Sequence, residues 1–376
     1  MSKVQIVFLP IGDKSCGDAI AVRFGDLDST NPDDQSVVLI DGGYKDDWIK
    51  PVNLVTKKFG MPRVNLLISS HLDKDHIGGM GGIIQNMPVD MLWMHLPWQH
   101  SDEVQAYRQN SFSVSRRPVT PWLRASLQQS NDLATIATHA GVPIEEPFAG
   151  KQYVTPHGVL TVLGPSLDYY NSLVPEILDK SSAKAQGQSA SLLQQLNRKV
   201  INAAETIASV FESHIIETLT DGGDRDTTPS NNSSTILLLE LNDGRKYLFT
   251  GDAGVPALGF AYDEYVALDH LPGALQFIQV PHHGSRRNSG PTVLDKFLGE
   301  RTDAPDEKRG VAYVSVGTTC EKDGHPKKVV TNAFKRRGYP VFQTRGNSIK
   351  HGAPLIGYDG DIEPLPLYSR VESESE

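Results

Sequence analysis

The chain has 376 residues, of which 39% are hydrophobic and 22% are charged, as in an ordinary globular protein with a sizeable core. Its net charge of −9 excludes a general attraction to nucleic acid or anionic lipid, so a polyanionic substrate would need a local basic patch or bound cations. Two cysteines, Cys16 and Cys320, are too few for a disulfide framework, which favours a reducing compartment and structural or incidental roles for both. The N-terminus lacks the pattern of a signal peptide, and no apolar run is long enough to span a bilayer, so we expect a cytoplasmic protein without membrane contact.

The first half of the sequence alternates β-strands with helices. Alternating or continuous apolar runs predict strands, and longer amphipathic runs that stop at glycine predict helices. The predicted strands cover residues 4–10, 19–24, 36–40, 64–69, 89–98 and 158–165. The predicted helices cover residues 47–60, 78–87 and 120–141. Strands with interleaved helices are typical of a layered α/β domain.

Residues 170–228 differ from the rest and are predicted to form a helical insertion. Apolar residues recur there with helical spacing at Leu193, Leu196, Val200, Ala203, Ile207 and Val210. This stripe predicts a long amphipathic helix, residues 190–219, which packs on the domain or on a partner. The polar run "TDGGDRDTTPSNNSS" follows it as a loop.

The second half repeats the pattern of the first. Strands are predicted at residues 234–241, 246–250, 274–280, 310–317 and 339–345, and a helix at 326–338. We therefore expect a single domain over 1–376, divided into a first αβ half (1–169), the insertion (170–228), a second αβ half (229–350) and a C-terminal tail (351–376). The acidic end "RVESESE" is expected to fray.

Residues with the chemistry of metal ligands follow four of the predicted strands. They are Asp41 after "SVVLI", the run "HLDKDH" (71–76) after "VNLLIS", Asp252 after "KYLFTG", and His282–His283 after "LQFIQVP". Each piece alone has an ordinary explanation as a turn or a solvated loop. Together, carboxylates and imidazoles at neighbouring strand ends predict a divalent-metal site.

The motifs "CGDAIAVRF", "VVLIDGG", "HLDKDHIGG", "NNSSTILLLE", "FTGDA" and "VPHHGS" resemble those of the metallo-β-lactamase fold hydrolases. Within that group, the chain is most similar to the hydrolase domain of ComEC-type competence proteins, without their membrane channel. The resemblance covers nearly the whole chain except residues 100–155 and the insertion. It implies a four-layered αββα sandwich with a helical insertion.

The resemblance also implies the roles of the candidate residues. Asp75, His76, Asp252 and one of the paired histidines would surround one metal, with His283 favoured as the ligand and His282 near the substrate, although the sequence does not separate the two. His71 and Asp73 would belong to a neighbouring metal, and Asp252 would bridge both. Asp41 would orient a ligand histidine by hydrogen bonding.

This chain departs from the usual HxHxDH pattern because Asp73 stands where a second histidine is expected. The histidine that normally precedes the "TGD" strand also lacks a clear counterpart, and Asn231, Asn232 and Ser234 occupy that region. Oxygen-rich sites favour harder ions such as Mn²⁺ or Mg²⁺ over Zn²⁺. We therefore expect two divalent ions, Zn²⁺ or Mn²⁺, with one site weaker than the other.

Two divalent ions can share a water, lower its pKa and clamp a phosphoryl group. Asp73 or Asp75 could accept the proton of that water, and His282 or His325 could protonate the leaving oxygen. A further set of polar side chains is expected to contact substrate: Asn232, Ser234, Ser285, Arg286 and His100. The basic runs "SRRNS" (285–289) and "KRRG" (335–338) offer local positive charge or simply a solvated surface.

The leading hypothesis is a metal-dependent phosphodiesterase or nuclease. The enzymatic alternative is a hydrolase of a small phosphodiester, such as a cyclic nucleotide or phosphocholine. From a different class, the chain could be a weakly catalytic sensor or effector subunit, in a multi-protein system such as antiviral defence, that docks on a protein partner or a second copy through the 190–219 helix.

Overall fold

The computed structural model describes residues 2–13, 15–109, 121–178, 209–222, 227–302, 307–319, 324–355 and 362–372. The strands are Lys3–Phe8 (β1), Ile20–Gly25 (β2), Gln35–Ile40 (β3), Leu66–Ile68 (β4), Leu92–Trp93 (β5), Ile144–Glu145 (β6), Gln152–Thr155 (β7), Gly158–Gly164 (β8), Val210–Phe211 (β9), Ile236–Leu241 (β10), Lys246–Phe249 (β11), Leu275–Gln279 (β12), Val311–Val314 (β13), Val341–Gln343 (β14), Ile349–Gly352 (β15) and Arg370–Val371 (β16). The α-helices are Ile49–Asn53 (α1), Lys74–Ile77 (α2), Met80–Asn86 (α3), Asp102–Gln109 (α4), Pro121–His139 (α5), Leu167–Leu178 (α6), Pro229–Asn232 (α7), Val255–Ala267 (α8), Pro291–Leu298 (α9) and Lys328–Arg336 (α10). One π-helical turn, Leu54–Lys58, continues α1.

Two seven-stranded sheets form the centre of the fold. The first has the order β15-β1-β2-β3-β4-β5-β6 and the second has the order β14-β13-β12-β11-β10-β8-β7. In the first sheet the strands from β3 to β6 run parallel, and in the second those from β11 to β14 do. Each sheet thus joins an antiparallel part to a parallel part. Within each parallel part, the carboxyl ends of the strands lie side by side at the same end of the sheet.

The apolar side chains of each strand divide between two cores. In β1, Ile6 and Phe8 face a core shared by both sheets, whereas Val7 points to the opposite face, which the first half's helices cover. In β10, Leu237 and Leu239 likewise face the shared core. This period of two, on strands buried on both faces, explains why the sequence shows continuous apolar runs.

Helices cover the outer face of each sheet. Met80 and Ile83 of α3 and Leu127 of α5 pack on the first sheet, and Phe297 of α9 and Phe334 of α10 pack on the second. The layers are therefore helix, sheet, sheet, helix, and the expected αββα sandwich is confirmed. Among the described residues, no helix combines the length and the apolar character needed to cross a membrane.

The predicted 190–219 helix is wrong over its described part. Residues 190–208, with most of the apolar stripe, lie outside the described residues, but Val210 belongs to β9 and pairs with Val371 of β16. The physical reason is a buried ion pair, in which Arg336 Nη2 donates to Glu212 Oε2 at 2.7 Å and both side chains are fully buried. This tertiary contact holds residues 209–212 extended against α10 and outweighs the local helical pattern.

Two further expectations, one about the basic run and one about the C-terminal end, are corrected by the same region. Arg336 and Arg337 of the "KRRG" run are buried, and Arg337 pairs with Glu217 and Asp295 at 2.7 Å each. Both guanidinium groups form ion pairs with carboxylates of the same chain, so this run offers no free positive charge to a phosphate. At the C-terminal end, Arg370 and Val371 form β16, and the carboxylate of Glu372 accepts from the backbone N–H groups of Lys328 and Val329 at the start of α10, so these three residues are not frayed.

Cys16 is buried and disulfide-bonded rather than a free thiol, so it is neither a metal ligand nor a nucleophile in this structure. The expectation of a reducing compartment, which rested on cysteine usage, therefore finds no support from Cys16. Cys320 lies outside the described residues.

Candidate metal centre

The four ligand-rich stretches meet at the ends of the parallel strands. Asp41 follows β3 and its N–H donates to Ile68 O of the neighbouring β4 at 2.8 Å. In the second sheet, Asp252 follows β11, and the N–H of His282, after β12, donates to Gly251 O at 3.2 Å. Thr235 N–H donates to Ser70 O at 2.8 Å and ties the two sheet edges together. Strand direction brings the loops of each sheet together, and the packing of the two sheets brings both sets of loops into one place.

Paired glycines allow the loops of the first sheet to pack backbone against backbone. Gly42 N–H donates to His76 O at 2.7 Å, and Gly79 N–H donates to Gly43 O at 3.0 Å. A Cβ at Gly79 would lie 2.1 Å from Gly42 O, so no larger residue fits there. The glycines after Asp41 and His76 therefore hold the carboxylate and the imidazole at a fixed separation.

Three side chains of this centre sit on left-handed backbone. Asp41 has φ 61°, His282 has φ 45° and His283 has φ 54°, values that residues other than glycine adopt rarely. Such conformations each cost about 1–3 kcal/mol and are concentrated at functional sites. Their clustering at the strand ends indicates that side-chain placement outweighs local backbone preference here.

Three imidazoles direct the same ring atom toward one carboxylate. The Nε2 atoms of His76, His71 and His283 lie 3.4, 3.9 and 3.9 Å from Asp252 Oδ2. All three Nε2 atoms, and Asp252 Oδ1, are buried without a hydrogen bond in the described part of the chain. Leaving four buried polar atoms unsatisfied in one place is costly unless something else binds them.

Hydrogen bonds on the far side of each ring orient these histidines. His76 Nδ1 lies 2.7 Å from Asp41 Oδ2, and His283 Nδ1 lies 3.0 Å from the carbonyl oxygen of Ser315. Because a carboxylate and a carbonyl can only accept, each ring in its neutral form carries its proton on Nδ1 and keeps a lone pair on Nε2. His71 Nδ1 lies 3.0 Å from Ser70 Oγ, whose own proton goes to Asp41 Oδ2 at 2.6 Å.

The two aspartates of "HLDKDH" lie on different sides of this cluster. Asp75 offers a carboxylate oxygen within 4.8 Å of ring nitrogens of His76 and His283. Asp73 Oδ2 lies 3.8 Å from His71 Nε2, and its Oδ1 accepts from Ser230 Oγ at 2.6 Å. All six predicted metal ligands are therefore brought together.

Asp18, absent from the predicted ligands, belongs to the same cluster. It is almost fully buried, and its carboxylate lies 3.9 Å from the Nδ1 atoms of both His76 and His283. Gln279 Nε2 donates to Oδ2 of Asp18 at 2.8 Å, and the backbone N–H of Asp18 donates to Asp75 O. The sequence signal was the Gly-Asp pair that precedes β2, inside the motif "CGDA".

The acid–base behaviour of the cluster follows from burial and proximity. Burial and the neighbouring Asp75 raise the pKa of Asp73 to about 7. Burial, reinforced by the charge of His76, holds the pKa of His71 well below its usual value. Burial opposes protonation of His76 as well, but Asp252 and Asp41 outweigh it and raise the pKa of His76 well above normal. This carboxylate-rich pocket thus favours a positive charge near His76.

Helix α7 holds the second sheet's side of the centre in place. Besides Ser230, which binds Asp73, Asn231 Nδ2 donates to His282 Nδ1 at 2.5 Å. Asn232 Oδ1 accepts from Gly254 N–H, and Ser234 Oγ, just after the helix, accepts from Asp252 N–H, each at 3.2 Å. Asn232 and Ser234, predicted to touch substrate, are buried and engaged with the Asp252 loop.

The remaining predicted residues lie at different distances from the cluster. His325 is part of the rim, with its ring centroid 6.2 Å from that of His282, and burial lowers its pKa. Ser285 is buried and its Oγ accepts from Arg287 N–H at 3.3 Å, which places the neighbouring Arg286 in the same short turn. His100 binds Glu146 and Asn171 through its two ring nitrogens, at 3.0 and 2.9 Å, in a separate polar contact.

The donor set fits a divalent cation. Ligands about 2.1 Å from a shared tetrahedral ion lie about 3.4 Å from one another, close to the 3.4–3.9 Å separations observed around Asp252. The hydrogen bonds to Nδ1 of His76 and His283 are the outer contacts that metal-binding imidazoles normally have. The site is thus a buried, preorganised set of nitrogen and oxygen donors between two sheets.

No protein-family model matches this chain, and no curated protein does. Among solved structures, the chain is similar to a HARLDQ-motif mutant metallo-β-lactamase from Cronobacter sakazakii at 12% identity and TM-score 0.31, over 72% of this chain and 75% of that one. It is also similar to the Rm3 metallo-β-lactamase at 14% identity and TM-score 0.32, over 72% and 76% of the two chains. A long-form RNase Z from yeast matches at 10% identity and TM-score 0.33, over 74% of this chain and 32% of that one. At these scores nothing about activity transfers to this chain.

Proposed function

We propose that this chain is a metal-dependent hydrolase that cleaves phosphodiesters, with nucleic acid as the substrate class. The observation that carries the proposal is the convergence of three unsatisfied Nε2 atoms on Asp252 between the two sheets. The ComEC-type resemblance of the motifs supports the choice of a phosphodiester over other esters.

One ion would be held by Asp75, His76, Asp252 and His283, and a second by His71, Asp73 and Asp252. His283 is favoured over His282 as the ligand because its side chain is only 5% exposed and its Nε2 makes no hydrogen bond in the described chain. His282 is 30% exposed and its Nδ1 is occupied by Asn231. Asp41 and Ser315 O orient the rings.

When bound, a pair of divalent ions lowers the pKa of a shared water and neutralises charge on a phosphoryl group. Because Asn231 donates to Nδ1 of His282, the neutral ring carries its proton on Nε2 and can donate a hydrogen bond from that atom to a phosphate or leaving oxygen. Asp73 is held by Ser230 and can accept a proton from water on the side of His71. His325, Ser285 and Arg286 would contact substrate at the rim of the metal centre. His100 would contact substrate only if the substrate extends to the separate polar contact with Glu146 and Asn171.

The second position is richer in oxygen than in nitrogen, because Asp73 replaces an imidazole and Ser230 and Asn231 occupy the α7 side. We propose that Mn²⁺ supports activity better than Zn²⁺ for this reason. The weaker site would fill when substrate phosphate adds its own oxygen ligands.

The test is a metal-by-substrate screen of the purified chain with labelled single-stranded DNA and RNA and with bis(p-nitrophenyl) phosphate. We expect Mn²⁺-dependent cutting of oligonucleotides, abolished in Asp75→Ala with the melting temperature of the metal-free protein unchanged. Asp46→Ala is the matched control, since it removes an exposed aspartate from the neighbouring loop.

Cleavage of bis(p-nitrophenyl) phosphate without cutting of any polynucleotide would replace nucleic acid by a small phosphodiester as the substrate. Metal binding without turnover of any phosphodiester would overturn the hydrolase and favour a binding subunit.

A further inference from the structure

A second charged cavity lies at the other end of the first sheet. It has a volume of about 570 Å³, within the range of small-molecule sites. Four cations and one carboxylate line it, together with a glutamine and apolar groups: Lys3, Arg23, Lys57, Lys58, Asp28 and Gln5. We call it the basic cavity.

The basic cavity is remote from the metal centre. Lys3 and Gln35 flank Gly25 in the register of β1, β2 and β3, whereas Asp41 follows the opposite end of β3. At about 3.3 Å per residue, β3 separates the two places by about 20 Å. A phosphate group held in this cavity would therefore not touch the candidate metal ligands.

Positive charge in the basic cavity is not balanced from within. Lys3 forms an ion pair with Asp28, which uses the one carboxylate among the lining residues. Lys57 and Lys58 are exposed and have no ion pair or hydrogen bond with other described side chains. In a protein of net charge −9, three cations remain uncompensated around one concave surface.

Arg23 is the least exposed of the four cations that line the basic cavity. Its Nε donates to Gln35 Oε1 at 2.6 Å and its Nη1 to Gln5 Oε1 at 3.4 Å, while the guanidinium lies 5.4 Å from the ring centroid of Phe59. These partners are neutral, and the described chain brings no carboxylate to the guanidinium. They fix the plane of the group and leave N–H donors over, the arrangement that recognises a phosphate with two hydrogen bonds.

We propose that the basic cavity binds phosphate-bearing anions, separately from the metal centre. The phosphate would sit against Arg23, with Lys57 and Lys58 closing around it. The phosphate could belong to a mononucleotide or to the backbone of a polynucleotide, which present the same group.

The experiment measures binding of ATP and of a single-stranded oligonucleotide by calorimetry, with EDTA present and at fixed low ionic strength. We expect Lys57→Glu/Lys58→Glu to weaken binding at least tenfold, and Arg23→Gln to do the same. The matched control is Arg301→Glu/Arg370→Glu, which changes the net charge equally on the second half's exposed surface. Since both lysines are exposed, the first variant keeps the test valid even if Arg23→Gln fails to fold.

Loss of ATP binding alone identifies a mononucleotide site, and parallel loss of oligonucleotide binding identifies a backbone site. The proposal is overturned if the wild-type chain binds neither probe, or if the control variant weakens binding as much as the lysine variant. Repeating the titration with Asp252→Asn separates the two proposals, because binding in the basic cavity should persist when the metal centre is lost.

Discussion

Asp41 accepts three hydrogen bonds that together set the orientation of His76. Its Oδ1 accepts from Ser70 N–H at 2.8 Å, and its Oδ2 accepts from Ser70 Oγ at 2.6 Å and from His76 Nδ1 at 2.7 Å. In Asp41→Asn one of these oxygens becomes an NH₂ donor. If the amide nitrogen takes the Oδ1 position, it faces the N–H of Ser70, and two donors meet.

If the amide nitrogen instead takes the Oδ2 position, it faces His76 Nδ1 and shifts the ring proton to Nε2, the atom that would bind the metal. Neither orientation keeps the network intact. Loss of such an outer contact typically costs 10–100-fold in metal affinity, or about 1.4–2.8 kcal/mol. We expect Asp41→Asn to weaken metal binding by that factor without preventing folding.

The assay is competition for Zn²⁺ and Mn²⁺ against a fluorescent chelator, with thermal unfolding of the metal-free protein measured beside it. Asp90→Asn is the matched control, because Asp90 is an exposed aspartate at the far end of the same sheet. A dissociation constant for Asp41→Asn within twofold of the wild type would refute the role assigned to Asp41.

Three further predictions concern stability. Glu212→Ala leaves the fully buried Arg336 without its carboxylate and should lower the free energy of unfolding by about 3–5 kcal/mol. Asp295→Ala, which removes a half-exposed partner of Arg337, should lower it by less than about 1 kcal/mol. Urea unfolding measures both losses, and equal losses would contradict the reasoning. Gly284→Ala places a Cβ 2.5 Å from Pro326 Cβ and should lower both the free energy of unfolding and the metal affinity. Gly60→Ala is the control, because Gly60 also has a positive φ but lies in open space; it should lower the free energy of unfolding by only about 1–2 kcal/mol and leave metal affinity unchanged. Burial lowers the pKa of His351 to about 4, below its value of about 6.5 in the unfolded chain, so the unfolded state binds the extra proton and stability falls as pH drops below 6.5. Between pH 7.5 and pH 5 this should cost about 2 kcal/mol, and His351→Gln should flatten the pH dependence of urea unfolding by that amount; an unchanged slope would show that His351 does not titrate as described.

The central strands and the clustering of the candidate ligands were predictable because their signals are local. Strands such as β1, β3, β10 and β12 are nearly continuous apolar runs, and a run buried on both faces is easily recognised. The ligand residues come directly after those runs. Once the strands are parallel neighbours, their ends meet within each sheet, and the sandwich packing of the two sheets brings both sets of ends together.

The errors arose where long-range contacts decide the structure. Nothing near Glu212 in the sequence shows that its carboxylate will meet Arg336, and this pairing converts a helical pattern into an extended segment. The same applies to Arg337, whose charge looked available for phosphate but is satisfied by Glu217 and Asp295. Helices α8 and α9 were missed because each begins with glycine and proline, which look like loop signals although proline is favoured in the first turn of a helix.

The placement of donors on both sheets gives a bound cation a mechanical role beside its chemical one. His71, His76 and Asp75 come from the first half, while Asp252 and His283 come from the second, so an ion between them is a non-covalent cross-link across the sandwich. Its binding energy then adds to the cohesion of the two halves, and resistance to thermal or proteolytic opening should rise with metal concentration. Removal of the ion by a chelator would weaken the contact between the two halves before either sheet unfolds.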